Sequence, residues 1–378
     1  MNRSRPAATH CAPYDRLWLS TGADPRELAI EEIARLGGDN IAFSATLPSG
    51  QRVLFARGAR HRLNEVLVNL RCSDAGVVAS RSQVSRLEEL SIQAISIRVF
   101  SDVRPHASAA LCNDAASALD GADAIVGWGG GSALGIAKAA ASSLKVPLIA
   151  VPSTYSGSEL TALYGVTHAQ RKRVLYDERA RAAAVLYDPD LLDWLPRHAA
   201  GASLMNCLAH LLECACEDPR DSIVQMAAFA GCQALAEGHR DRLLLAGLWG
   251  GLTLAHGVTG VHHAVCHAIG GRTGASHGEI NGIVLPAVLR RATKDSQVLL
   301  GKLLAPVRKF SAEPESLAPH QTVTRLRDSW GLPSALGVLG VHKEDIQSIA
   351  SEVMQQASGA WAERWSEHGV VGMLESIL

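Results

Sequence analysis

Within GVHHAVCHAIGG, residues 260–271, three histidines and a cysteine share one short apolar segment. His263 and His267 stand four apart, the spacing that puts two side chains on one helix face. The same spacing separates Asn206 from His210 in LMNCLAH, and His277 follows in ASHGEIN. Three imidazoles and an oxygen donor suit a catalytic divalent metal, iron or zinc, that keeps one coordination position open. Asn206, His210, His263, His267 and His277 are the candidates for such a site. Asn206 is neutral, and an amide is a weaker donor to a dication than a carboxylate. The residue types therefore support two chemistries: a metal site, or a metal-free site where histidines supply protons and hold an anionic substrate.

A second group of residues suits phosphate. GWGGGSALGIAK, residues 127–138, follows the apolar run AIVGW and opens a helical pattern. Gly129, Gly130 and Gly131 remove side chains where the backbone must come close to something, and Ser132 stands at the helix start. Free N–H groups and the positive helix end make an anion site there, and a dinucleotide pyrophosphate is the natural occupant. A tight strand-to-helix turn would use the same residues. The pattern is not G-x-G-x-x-G, and no acidic residue follows the next strand at ribose-binding spacing. VPSTYSGSE, residues 151–159, leaves that strand with Ser153, Thr154, Tyr155, Ser156 and Ser158 around Gly157. Two polar loops at the ends of adjacent parallel strands point to the usual ligand crevice.

These side chains need elements to position them. From 41 to 190, the β-rich runs RVLF (52–55), GVVAS (76–80), ISIRVF (95–100), AIVGW (124–128) and VPLIAVP (146–152) alternate with helical stretches such as HASAALCNDAASALD and SALGIAKAAASSL. That alternation predicts an α/β dinucleotide-binding domain whose parallel sheet is covered on both faces. From 191 to 378 the period is helical, which predicts an all-α catalytic domain, with the site in the cleft between the two. Residues 1–40 form a peripheral extension, in which ADPRELAIEEIARLGG predicts a short helix between Asp24 and Gly37-Gly38.

Residues 243–271 carry no formal charge, a run longer than the ~20 residues that cross a bilayer. The run contains four histidines and many glycines, costly groups in lipid, so it predicts two buried helices broken near Gly257–Gly260. With 47% apolar and 19% charged residues in 378, the chain is globular. Lys and Arg number 36 against 37 Asp and Glu, a balance that argues against nucleic acid or an anionic membrane as main partner. The eight cysteines form no C-x-x-C pair and read as reduced thiols of a cytoplasmic protein.

Taken together, VLFARGARHRLNEVL, GGGSALGIAK, VPSTYSGSE, Lys172 with YDERARAAAVLYDP, GASLMNCLAH, GVHHAVCHAIGG and SHGEINGIVLP resemble the iron-containing alcohol dehydrogenase superfamily. Gly135, Asn206 and the pattern His262-His263-x-x-Cys266-His267 are similar to its maleylacetate reductase branch. The resemblance implies the fold shared with dehydroquinate synthase, a homodimer, and NADH or NADPH as cofactor. It implies that Gly129, Gly130, Gly131 and Ser132 hold the pyrophosphate, and that Thr154, Ser158 and Lys172 line the ribose and nicotinamide. Asn206, His210, His263 and His277 match its metal positions, and His267 the histidine beside the substrate. The reaction implied is reduction of maleylacetate to 3-oxoadipate or of a related small anionic substrate. His267 and His263 would do the proton chemistry, and Arg272 would pair with a substrate carboxylate. A metal-dependent alcohol or aldehyde dehydrogenase is the alternative within the superfamily. A non-redox lyase, cyclase or binding protein is the alternative outside it.

Overall fold

The computed structural model describes residues 28–378 apart from 38, 39, 91, 94, 95, 169, 170, 358, 360 and 361. Strands β1 (Phe43–Thr46), β2 (Arg52–Phe55), β3 (Asp74–Ala79), β4 (Ser96–Phe100), β5 (Ala124–Gly129) and β6 (Leu148–Pro152) come first. The hairpin β7 (Leu163–His168) and β8 (Arg171–Tyr176) follows, then β9 (Ala182–Tyr187). Between them lie α2 (Leu63–Asn69), α3 (Arg81–Val84), α4 (Ala109–Ala118) and α5 (Gly131–Leu144). Of the helix expected in the extension, the described part is one turn, α1 (Ile30–Ile33); Asp24 and Gly38 lie outside the described residues.

Seven strands make one sheet in the order β1-β2-β9-β6-β5-β3-β4, parallel except for β1 on β2. Alternate residues of a strand face opposite sides, so a sheet covered on both faces needs apolar residues at nearly every position. Val77, Val126, Trp128 and Ile149 pack on one face, and Val78, Ile125, Leu148 and Ala150 on the other. The chain leaves β3 outward to β4, but leaves β5 in the opposite direction to β6. The order therefore reverses between β3 and β5, and the ligand crevice lies outside their carboxyl ends.

The second half is helical: α6 (Arg197–Glu217), α7 (Ser222–Glu237), α8 (Arg240–His256), α9 (Val261–Thr273), α10 (His277–Arg290), α11 (Lys294–Leu303), α12 (Ala305–Phe310), α13 (Pro319–Ser329), α14 (Ile346–Gln356) and α15 (Glu367–Glu375). The uncharged run folds as α8 and α9, bent by 101° at the four-residue break. Gly260 fits that bend because a Cβ there would meet Glu217 Oε1 of α6 at 1.9 Å. The one described helix long and apolar enough to cross a bilayer is α6, and 83% of its apolar window is buried inside the protein. The seven described cysteines are free; Cys11 lies outside the described residues.

Candidate active site

The glycine loop ends β5 and begins α5. Gly129 has φ +147°, in the region that favours glycine, and its carbonyl accepts from the Ser153 N–H at 2.9 Å. A Cβ on Gly130 would meet Thr154 Cγ2 at 2.8 Å, so the two polar loops touch. A Cβ on Gly131, the first residue of α5, would meet nothing within 4 Å. This open cradle at a helix N-terminus, with Ser132 beside it, fits a dinucleotide pyrophosphate.

Lys138, buried on α5, fixes what lies behind the cradle. Its ammonium donates to the carbonyls of Ser158 (2.6 Å), Thr161 (2.8 Å) and Leu163 (2.8 Å) and to Thr161 Oγ1 (3.0 Å). The segment so held leads into the β7–β8 hairpin, where Lys172 pairs with Thr167. A Cβ on Gly165 would meet Lys172 Cε at 2.5 Å, so this glycine lets the lysine stem lie across the hairpin.

Helices α6, α9 and α10 bring the histidines together. The rings of His210 and His263 stack with centroids 4.9 Å apart, His263 and His277 lie at 5.8 Å, and His267 and His277 at 5.4 Å. Asn206 accepts from Asn281 Nδ2 at 3.3 Å. Lys172 is close enough for its charge to act on His263, His267 and His277. The backbone of Ser156 bonds His210. Loop, lysine and imidazoles therefore share one wall between the two halves.

Beneath the cluster sits Glu213, fully buried. It accepts from the His262 backbone N–H at 2.8 Å and makes a short bond to His263 Nδ1. A carboxylate accepts only, so the His263 proton is on Nδ1 and Nε2 carries a lone pair. Burial pushes His210, His267 and His277 well below the ordinary imidazole range, and His263 below it. These rings are neutral at pH 7. Burial would lower His262 too, but Cys266 and Glu213 raise it to about 10. Burial would raise Glu213, but His263 and His262 hold it well below the carboxylate range. Lys172 is pushed down to about 8 by burial, against the opposing effect of Cys266.

The donor types suit a divalent metal, but the ligand atoms of His210, His263 and His277 do not all lie within 4.8 Å of one another. His210 Nδ1, His263 Nε2 and His277 Nδ1 are buried without hydrogen-bond partners. Neutral nitrogens of this kind are ligands, and a carboxylate behind one of them is the usual outer support. A tighter trio, Glu213, His262 and His263, has ligand atoms within 4.8 Å of one another. Its atoms already bond one another, so we read it as the support and not the site. A separate cavity of about 120 Å³, lined by Arg291, Thr293, Arg364, Trp365 and Gly369 among others, shares no residue with the cluster.

Residues 50–189 match the model of the iron-containing alcohol dehydrogenases, and residues 202–378 that of the Fe-containing alcohol dehydrogenase family, C-terminal. The chain belongs to the iron-containing alcohol dehydrogenase family. It is 30% identical to a maleylacetate reductase of Burkholderia cepacia over 327 residues, covering 82% of this chain and 89% of the relative. The crystal structure of maleylacetate reductase from Agrobacterium tumefaciens superposes with TM-score 0.75 at 26% identity, covering 87% of this chain and 96% of that one. An iron-containing alcohol dehydrogenase from Corynebacterium glutamicum gives TM-score 0.77 at 25% identity, covering 90% and 98%. The chain is an oxidoreductase of the maleylacetate reductase-like branch.

Within this family fold, Asn206, His210, His263, His267, His277 and Lys172 come together, and Gly129, Gly130, Gly131, Ser132, Thr154 and Ser158 line the two touching loops. Arg272 is a correction. Its guanidinium ion-pairs with the mostly buried Glu352 of α14 at 2.6 Å and caps the Ala268 carbonyl at 2.9 Å, so it is committed to helix packing. His263 is a second correction: with its proton held by Glu213, it faces the cleft as an acceptor and not as a donor. Sequence reasoning missed Glu213, although it shares the α6 face of Asn206 and His210 at spacings of seven and three. It also missed His106, whose Nε2 meets the Ala275 carbonyl at 2.6 Å over Gly270. No local pattern marks that contact, because it crosses between the halves.

Proposed function

We propose that the chain reduces a small unsaturated keto acid with a nicotinamide cofactor, maleylacetate to 3-oxoadipate or a related substrate. The observation that supports it best is the packing of β8, which carries Lys172, against α9, which carries His267, with the lysine charge acting on that ring. When bound, a reduced nicotinamide would supply a hydride for the enone carbon. Negative charge then builds on the conjugated carbonyl oxygen, and the neighbouring carbon takes a proton. The sum is substrate, reduced cofactor and one proton giving the saturated keto acid and oxidised cofactor.

Gly129, Gly130, Gly131 and Ser132 receive the pyrophosphate, while Thr154 and Ser158 hold the ribose and nicotinamide side. Lys172, the cationic group facing the rings, stabilises the developing oxyanion in a water-poor setting. His267, neutral and not committed to Glu213, relays the proton: one ring nitrogen gives its proton to the carbon while the other takes one up from solvent. His263 and His210 shape the pocket as neutral acceptors. The test is mixing protein, maleylacetate and reduced cofactor and following the nicotinamide absorbance. Absence of turnover with both cofactors rejects this substrate. His267→Ala is expected to lower kcat by about 10²–10⁴ while leaving cofactor affinity intact.

The unpartnered ring nitrogens favour a second reading, a metal-dependent alcohol or aldehyde oxidoreductase. Asn206, His210, His263 and His277 would hold iron or zinc, which supplies a Lewis acid for a substrate oxygen. Stoichiometric metal whose removal abolishes activity selects this reading. Failure to bind either nicotinamide cofactor selects a non-redox function.

A further inference from the structure

We infer that the crevice is built for a 2′-phosphate, so that NADPH is preferred over NADH, with Arg81 as the residue that receives it. The inference rests on the nicotinamide-dependent reading above.

The topology supplies the first step. In a doubly wound sheet the pyrophosphate sits at the glycine turn, and the adenosine ribose lies across the switch point over the neighbouring strand. The glycine turn ends β5, and the neighbour across the switch point is β3. The ribose partner is thus drawn from the residues that follow β3, Ser80-Arg81-Ser82-Gln83. This segment precedes the glycine loop in sequence. A search downstream of the loop for a ribose-binding acid therefore looks on the wrong side of it.

The local contacts supply the second step. Gln83 Nε2 donates to Ser153 Oγ at 2.9 Å, and a Cβ on Gly129 would meet Gln83 Oε1 at 2.9 Å. Ser80 Oγ donates back to Gln83 Oε1 at 2.9 Å. The segment is thereby fastened to both polar loops as a wall of the crevice.

Charge supplies the third. A ribose diol is held by a carboxylate, and a 2′-phosphate by arginine. No Asp or Glu occurs from Ser80 until Glu88. Arg81 is exposed and makes no hydrogen bond or ion pair among the described residues. Its neighbours are committed: Arg86 to Glu89, Arg60 to Asp188, and Arg104 to Asp102 through bonds of 2.7 and 2.8 Å. Asp102, after β4, is the acid whose charge Arg81 feels, and the Arg104 fork already neutralises it. One uncommitted guanidinium flanked by the Ser80 and Ser82 hydroxyls matches a phosphate dianion and offers a diol no carboxylate.

Equilibrium titration of the full chain with NADPH and with NADH, read by nicotinamide fluorescence without substrate, tests this. NADPH is expected to bind about tenfold tighter or more, the worth of one charge-assisted contact. Adenosine 2′,5′-bisphosphate should compete better than 5′-AMP. Arg81→Ala should bring the NADPH-to-NADH ratio near one, chiefly by weakening NADPH, and Arg81→Lys should recover part of it. NADH binding as tightly as NADPH, or an unchanged ratio in Arg81→Ala, overturns the inference. Binding of neither cofactor overturns the nicotinamide reading itself, and this inference with it.

Discussion

Gly157 and Gly251 are in backbone contact across the two halves of the chain. A Cβ on Gly157 would meet the Gly251 nitrogen at 2.4 Å, and one on Gly251 would meet the Gly157 carbonyl oxygen at 2.3 Å. The second polar loop thus lies directly on α8, with Thr154 and Ser158 to either side of the contact. Gly251→Ala must separate loop from helix. We expect a loss of about 1–3 kcal/mol in stability, the usual cost of overpacking, together with weaker cofactor binding. Thermal unfolding and cofactor titration check it; a variant with wild-type melting temperature and affinity would show that the contact does not position the loop.

The buried charges set a pH dependence whose sign can be worked out. His262 rises from 6.5 to about 10 on folding, so its contribution is complete below pH 6.5 and is lost as pH climbs toward 10. His210, His267 and His277 are lowered on folding, so the unfolded chain takes up their protons first and stability falls as pH drops below 6.5. Lys172 falls from 10.5 to about 8, which adds stability as pH rises through that interval and opposes the His262 loss above pH 8. Lys138, lowered by burial from 10.5 to about 7, adds stability over the range in which His262 loses it, so stability should rise by about 1.4 kcal/mol per pH unit per proton as pH climbs toward 6.5 and change little from pH 7 to 8. Denaturant unfolding between pH 5 and 9 measures the profile. A stability that does not fall as pH drops below 6.5 would contradict the neutral buried rings.

Lys138 ties the phosphate helix to the segment 158–163, and Lys138→Met keeps the length of the side chain while removing the donor. The Ser158 carbonyl keeps the Thr161 N–H and Thr161 Oγ1 keeps the Leu163 N–H, so the main loss is the Thr161 carbonyl left without a donor, about 1–3 kcal/mol if it stays dry. Because that segment carries Ser158 and leads to Lys172, KM for the nicotinamide cofactor should rise more than kcat falls. Initial-rate kinetics at varied cofactor checks the split, and an equal effect on both parameters would count against a positioning role.

The sequence made the parallel core legible because a sheet covered on both faces writes continuous apolar runs. RVLF is β2 to the residue, and AIVGW is β5 short of its last glycine. Strand β9, AAAVLY, was harder to read because its alanines fit a helix equally well. The β7–β8 hairpin has half-exposed faces, and its residues carry no continuous apolar run. The break between α8 and α9 was legible because glycines at 257 and 260 interrupt an uncharged run. At the site, residues that share a helix face could be paired from spacing alone. What spacing could not give is the direction of a proton. That His263 holds its proton toward Glu213 depends on a residue of another helix, and the commitment of Arg272 depends on Glu352, far along the chain.

Arg272 follows a cluster of histidines and looks from sequence like an anchor for an anionic substrate. Its guanidinium instead joins α9 to α14 through Glu352. Arg272→Ala should accordingly act on stability and not on substrate affinity. Removing it leaves a mostly buried carboxylate without its counter-charge, a loss of about 1–3 kcal/mol for an uncompensated polar group. Glu352→Gln in the same background should restore part of that loss, because the stranded charge is then gone. KM for the keto acid should stay within about twofold of wild type, since uniform binding is what an anchor would supply. Denaturant melts of both variants, read beside steady-state kinetics, separate the roles. A large rise in KM with unchanged stability would return Arg272 to the substrate pocket.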